Sequence, residues 1–338
     1  MIFIYNENKY KFMIIKKGDT GELVKDIQEK LFIHADGIFG NDTEKKVIIF
    51  QKSKKLVADG IVGRMTWESL GLDTDLMYKP MPDHDNVLNH KGTYDTEECL
   101  IIDRVYLDDD EYVTDYGKIE PKGFFLHHTA GWDNPYQTVN SWNTDTRGRV
   151  ATQYCIGGER IIGDSKYDGD VVECFPNNYL AWHLGGVGNN NIHLYSGGVE
   201  LCNFGYLYER DGKYYPYIAK KKGAWRSDYY KYEVNKNFVC DLGYEFRGFR
   251  FYHKYSDKQI ESLRLLILHL QRIYPKMDFT DGLPKLLNSG VAPKDAFEFN
   301  EDAYYARQFG LWTHTNVRKD KFDCSPQPNL IAMIKNLK

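Results

Sequence analysis

Between residues 21 and 31 the apolar side chains Leu23, Val24, Ile27 and Leu31 recur with a helical period, which predicts an amphipathic helix. A nine-residue pattern then appears twice. Ala-Asp-Gly-Ile-Phe-Gly-Asn-Asp-Thr at 35–43 returns as Ala-Asp-Gly-Ile-Val-Gly-Arg-Met-Thr at 58–66, six positions identical at an offset of 23. In each copy Asp-Gly makes a tight turn, the second Gly allows the chain to reverse, and the polar Asn/Asp or Thr caps a following helix, roughly 43–52 and 66–70. The expectation is a small all-α three-helix domain at 14–73. From 74 to 97 the chain is polar, holds Pro80 and Pro82, and has no hydrophobic period, so a linker is expected there, with His84 and His90 as exposed loop histidines. Short apolar runs at 100–102, 123–126, 151–156, 171–175 and 198–201 predict strands. One long helix follows. Ser256 is its N-cap, Gln259 completes a capping box, and Ile260, Leu263, Ile267, Leu270 and Tyr274 form the buried stripe. Strands mixed with packing helices point to an α/β domain at 98–338, a mixed central sheet flanked by helices.

Composition narrows the partners. The chain has 338 residues, 42% hydrophobic and 27% charged, enough for two or three folded domains. A net charge of −4 gives no reason to expect a nucleic-acid partner, whose binding surface would show as a basic excess or a clustered Lys/Arg stripe. Aromatic content is 15%, with many of the Tyr between Tyr206 and Tyr255. The cysteines 99, 155, 174, 202, 240 and 324 form no CxxC pair or regular framework and are expected to be reduced. The N-terminus lacks the pattern of a secretory signal, and no segment reaches membrane-spanning length. Synthesis in the cytoplasm without a signal peptide, and no membrane insertion, are the expectations.

Candidate chemistry comes from three histidine-bearing segments. The strand 123–126 delivers His127 and His128, which as neighbours on an extended chain point to opposite faces, so only one enters a given site. Trp182-His183 and Trp312-Thr313-His314 are the others, and Asp323 and Cys324 follow His314 by nine and ten residues. A hydrolytic zinc site needs three ligands drawn from imidazole, carboxylate or thiolate, with a fourth position open. These segments supply such a set.

Two stretches resemble known families. GDTGELVKDIQEKL with the two repeat copies resembles the peptidoglycan-binding domain of cell-wall hydrolases, which implies wall anchoring. GFFLHHTAG, AWHLGG, SGGVELCNFG, the helix after Ser256 and GLWTHTNVRKDKFDCSP stand in the order of the N-acetylmuramoyl-L-alanine amidase family, which includes phage lysozyme-type amidases and peptidoglycan recognition proteins. Two insertions, near 205–251 and 276–308, interrupt that likeness. The resemblance implies one zinc ion held by His127, His314 and a third ligand. Asp323 keeps the family's Lys-x-ligand spacing and is preferred; Cys324 is the softer donor and stays open. It further implies Glu200 as general base, Lys321 as stabiliser of the oxyanion, and His183 lining the substrate cleft. Some relatives carry a catalytic Tyr where Thr152 stands here, with Tyr154 two residues away, which favours Glu200 as the base. His128, His193, His253 and His269 are expected to be structural. The implied reaction is hydrolysis of the amide between N-acetylmuramic acid and L-alanine of peptidoglycan, by a released endolysin or virion-associated lysin. A non-catalytic peptidoglycan-recognition protein, a stem-peptide peptidase and an antibacterial effector are the alternatives.

Overall fold

The computed structural model describes residues 2–5, 10–12, 15–54, 56, 58–72, 78–80, 99–163, 166–217 and 232–337. They form two compact units, one of Glu7–Gly92 and one of Met1–Asn6 with Thr93–Lys338. Most of the expected linker, His84 and His90 included, lies outside the described residues.

The smaller unit contains β2 (Tyr10–Phe12), α1 (Glu22–Lys30), α2 (Asn41–Ser53), α3 (Arg64–Ser69) and β3 (Tyr78–Pro80), the short β1 (Ile2–Tyr5) belonging to the larger unit. Val24 and Ile27 of α1 meet Phe39, Val47, Val62 and Trp67 in its core. The repeat is also a repeat of hydrogen bonds. Gln28 Nε2 donates to Asp36 Oδ1 (2.8 Å), the Ile38 carbonyl (3.1 Å) and Thr43 Oγ1 (3.1 Å), while its Oε1 accepts from Gly37 N–H (2.9 Å). Gln51 does the same to Asp59, Ile61, Thr66 and Gly60 at 2.9, 2.8, 3.2 and 2.9 Å. Each Asp carboxylate also accepts the N–H two residues on, closing an Asx turn. Both helices begin earlier than expected, because the carbonyls of Gly40 and Gly63 accept the first helical bonds, from Glu44 and Trp67. Glycine takes the cap position, and Thr43 and Thr66 sit inside the first turn, buried against the glutamines. Two strands flank the helical domain expected at 14–73. β2 pairs antiparallel with β3, so residues 78–80 of the expected linker form a strand.

The larger unit is built on a seven-stranded sheet in the order β1-β4-β7-β6-β8-β5-β13, where β4 is Cys99–Arg104, β5 Gly123–His128, β6 Tyr154–Ile156, β7 Val171–Glu173, β8 Ser196–Leu201 and β13 Gly310–Thr313. Every pairing is parallel except β6 with β7, so β6, β8, β5 and β13 run together. This is the mixed sheet flanked by helices that the sequence pattern predicts. The expected strand 151–156 shrinks to β6, since the Thr152 hydroxyl bonds the Tyr154 carbonyl (2.8 Å), a local alternative to the ladder. α4 (Pro135–Trp142) starts at Asn134, whose side chain caps it. α5 (Asp257–Ile273) is the long helix, and its expected stripe is buried against the sheet. Ser256 Oγ accepts from Gln259 N–H (2.9 Å) as a cap should. Gln259, however, does not turn back to the helix start: its Nε2 donates to the carbonyls of Ile156 (3.0 Å) and Cys202 (3.2 Å), tying α5 to the ends of β6 and β8.

The two interruptions of the family pattern have structure of their own. Residues 206–253 hold β9 (Tyr206–Arg210), β10 (Lys213–Pro216), β11 (Val239–Phe246) and β12 (Phe249–His253), an antiparallel sheet in the order β10-β9-β12-β11. The second carries three short helices, α6 (Leu283–Asn288), α7 (Pro293–Ala296) and α8 (Glu301–Tyr304). After β13 come α9 (His314–Val317) and α10 (Pro328–Lys335). No helix among the described residues is long and apolar enough to cross a membrane.

Candidate metal centre

The register of three adjacent parallel strands assembles the site. Leu126 of β5 lies opposite Thr313 of β13, which brings the next residues, His127 and His314, side by side at the strand ends. On its other side His127 is in register with Glu200 of β8. Ligand-bearing side chains at the carboxyl ends of parallel strands follow the general rule for open α/β sheets. Asp323 returns to the same place across the loop after α9, its carbonyl accepting the Thr315 N–H at 2.9 Å.

The donor atoms converge. His127 Nδ1 and His314 Nδ1 are 3.1 Å apart, and Asp323 Oδ2 lies 3.2 Å from the first and 3.0 Å from the second. Ligand atoms around a tetrahedral zinc with bonds of about 2.0–2.1 Å stand roughly 3.3 Å apart, so this buried triangle has the size and the donor set for one metal ion. Among the described residues it is the group of His, Cys, Asp and Glu side chains that meets this condition. Burial pushes the His127 imidazole down to about 4, with the neighbouring His314 adding to the effect, so the ring is neutral and free to donate a lone pair. Burial alone would push the Asp323 carboxyl up, but the His314 and His127 rings hold it well below the usual carboxylate range. Cys324 is absent from the group. It is fully buried in the main core, where burial pushes its thiol well up and disfavours the thiolate a metal requires.

The other residues singled out by sequence fall around this triangle. Glu200 Oε2 is buried with no hydrogen-bond partner among the described residues. Burial, and then the charge of Asp323, raise its carboxyl well above the ordinary value, while Lys321 pulls the other way. Lys321 is half-buried and lies two residues before Asp323. His183 lies directly beside the triangle: its Nδ1 is 3.0 Å from His127 Nε2, and its own Nε2 is 3.3 Å from Ser196 Oγ. A partner on the far nitrogen of a ligating imidazole fixes the tautomer and the ring plane. Gly198 makes room for it, since a Cβ there would stand 3.0 Å from His183 Nδ1.

His128 points to the opposite face, where its Nδ1 is 3.2 Å from Tyr255 Oη and its Nε2 sits against Gly205, at which a Cβ would come within 2.3 Å. Tyr154 is fully buried, with its hydroxyl bonded to Asn177. His253 accepts from the Phe204 N–H at 3.3 Å, and His193 packs edge-on against Trp182 and His183. Sequence reasoning missed Ser196 and Gly198 as supports of His183, although both stand in SGGVELCNFG. It also missed Arg247, which reaches the carbonyls of the Asp323 loop, and Phe322 of that loop, which packs against Tyr206 and Phe249; these contacts cross long sequence separations.

Solved structures similar to this chain include a peptidoglycan-binding protein from Clostridioides difficile in complex with glutamine hydroxamate, 40% identical over 18% of this chain and 41% of that one, with a TM-score of 0.18. That match spans less than half of the relative. PlyL is 14% identical over 66% of this chain and 85% of its own, with a TM-score of 0.31. The Staphylococcus aureus hydrolase AmiA in complex with its ligand is 13% identical over 69% and 81%, with a TM-score of 0.33. Residues 20–70, which hold α1, α2 and α3 with their duplicated glutamine-braced turns, match the family model described as putative peptidoglycan binding domain.

Proposed function

We propose that this protein is a zinc-dependent N-acetylmuramoyl-L-alanine amidase, a phage lysin that reaches the bacterial wall and is held there by its N-terminal domain. The observation that carries the reading is the buried triangle of His127, His314 and Asp323 with Glu200 in register beside it, its Oε2 buried without a hydrogen-bond partner among the described residues. The peptidoglycan-binding match at 20–70 supports the choice of substrate.

His127, His314 and Asp323 would hold the ion, which when bound supplies Lewis acidity towards an amide carbonyl and makes water a better nucleophile near neutral pH. Glu200 accepts the proton of the attacking water and passes it to the departing amine of L-alanine. Its raised proton affinity suits that task, and its carboxylate is held by a strand rather than a loop. Lys321 brings a positive charge to the carbonyl oxygen as negative charge develops there. His183 keeps His127 in one tautomer through the contact between their rings.

The test is mass analysis of fragments released from purified peptidoglycan by the zinc-loaded protein. The expected products are intact stem peptides with a free L-alanine N-terminus and glycan strands with unsubstituted lactyl groups. Peptides cut internally would identify a stem-peptide peptidase, and no release despite binding would identify a recognition protein.

A further inference from the structure

The tip of the inserted hairpin closes on the loop that carries Lys321 and Asp323. β11 and β12 are joined by Arg247 and Gly248, with φ of 50° and 83° and Phe246 paired with Phe249 across the turn. Positive φ at both central positions matches the twist of a hairpin and favours Asn-Gly or Gly-Gly. An arginine held there is in a conformation that a residue with a Cβ rarely adopts. Its side chain is 7% exposed. Nη1 lies 2.9 Å from the Arg318 carbonyl, 2.9 Å from that of Lys319 and 2.5 Å from that of Lys321, sharing its two N–H groups among them. Nη2 donates to the Thr315 carbonyl at 3.0 Å and pairs with Glu298 at 3.0 Å.

A second contact comes from the same sheet. Tyr206 and Phe249 stack with ring centroids 3.8 Å apart, and Phe322, the residue between Lys321 and Asp323, packs against both at 5.1 and 5.9 Å. The loop from Arg318 to Phe322 is irregular, so its carbonyls have no ladder to bind them. The guanidinium supplies the donors, and the aromatic pair supplies the apolar face.

We propose that Arg247 is a positioning residue of the metal centre, and that the inserted four-stranded sheet braces the segment of Lys321, Phe322 and Asp323 against the two histidines. The inference rests on reading the triangle as a zinc site. Lysine cannot replace the clasp, because one ammonium lacks the planar fork that spans several carbonyls.

Arg247→Ala and Arg247→Lys in the full-length protein test it, with zinc affinity measured by competition with a chromophoric chelator. Both variants should fold and bind zinc tenfold or more weakly than the wild type, the scale on which lost orienting partners act. On soluble muropeptides kcat should fall while KM stays within about twofold, because the ligand loop and not the substrate contact is loosened. Wild-type zinc affinity in a folded Arg247→Ala protein, or full affinity in Arg247→Lys, overturns the clasp. So does failure of both variants to fold, which would make Arg247 a residue of the fold and not of the site. Wild-type protein that binds zinc but leaves the muramoyl amide uncut would refute the proposed function alone, since affinity still reads the clasp. Wild-type protein that binds no zinc would refute both.

Discussion

Holding an ion and moving a proton are separable at the level of single residues. Glu200→Gln keeps the size of the side chain and removes its basicity, so zinc content and folding should stay normal while kcat drops roughly a hundredfold or more. Loss of zinc in that variant would instead make Glu200 a ligand. The pair Asp323 and Cys324 offers an independent check. Asp323→Ala should lose the metal, because its Oδ2 closes the triangle, whereas Cys324→Ser should keep it, because its thiol lies in the core. Inductively coupled plasma mass spectrometry of the two purified variants decides this, and the reverse pattern would move the third ligand by one position. Both histidines were legible in the sequence as motifs. Asp323 was preferred over Cys324 only through the spacing implied by the family resemblance, because neighbouring residues in a loop have no period of their own to fix their direction.

Among the elements, the duplicated turn is held by a residue outside the repeated nonapeptide. Gln28 and Gln51 precede their turns by eight residues and sit buried on the preceding helix, each satisfying a glycine N–H, an aspartate, a carbonyl and a threonine. Replacing either with Ala strands several buried polar groups and should cost about 1–3 kcal/mol. Urea unfolding of a fragment spanning 7–92, followed by circular dichroism, should show the loss in both variants, and an unchanged midpoint would mean that water replaces the glutamine without penalty. The fragment needs residues 78–80, because β3 completes the pair with β2. Asp-Gly turns and the helical periods were readable because they are local. The glutamines were not, since nothing in their own helix marks them as partners of a turn, and the same holds for Gln259, whose amide serves two strand ends instead of a capping box.

At the scale of the whole molecule, anchoring and acid lability can be tested apart from the chemistry. The proposed division of labour predicts that residues 7–92 co-sediment with purified peptidoglycan while residues 93–338 stay in the supernatant; equal sedimentation of both would remove the anchoring role. Two buried histidines away from the metal triangle set a pH dependence. Burial pushes His253 down to about 3 and His269 down to about 4, helped in the latter by Arg272. Against an unfolded value of about 6.5, the unfolded chain binds more protons than the folded one between roughly pH 6.5 and pH 3–4. The stability of the larger unit should therefore fall as pH drops through that window, by an amount on the order of a few kcal/mol. Thermal melts from pH 7 to pH 4 measure it, and His269→Gln should flatten part of the slope. A melting temperature that does not change over this range would show that these rings find proton acceptors on acidification.

The sequence by itself determined the two-part layout, the helical repeat unit, the run of short strands followed by one long capped helix, and the segments whose His127, His314 and Asp323 side chains meet in the buried triangle. These are written in local signals, namely turn residues, caps and hydrophobic period, which act within a few residues of each other. Only the tertiary structure decided that β1, at the very start of the chain, pairs with β4 of the larger unit, that His183 supports His127, and that an inserted sheet grips the Asp323 loop. Each of these joins residues separated by more than fifty positions. A strand register or a guanidinium contact at that distance leaves no trace in either partner's own neighbourhood, so it emerges only when the chain has folded.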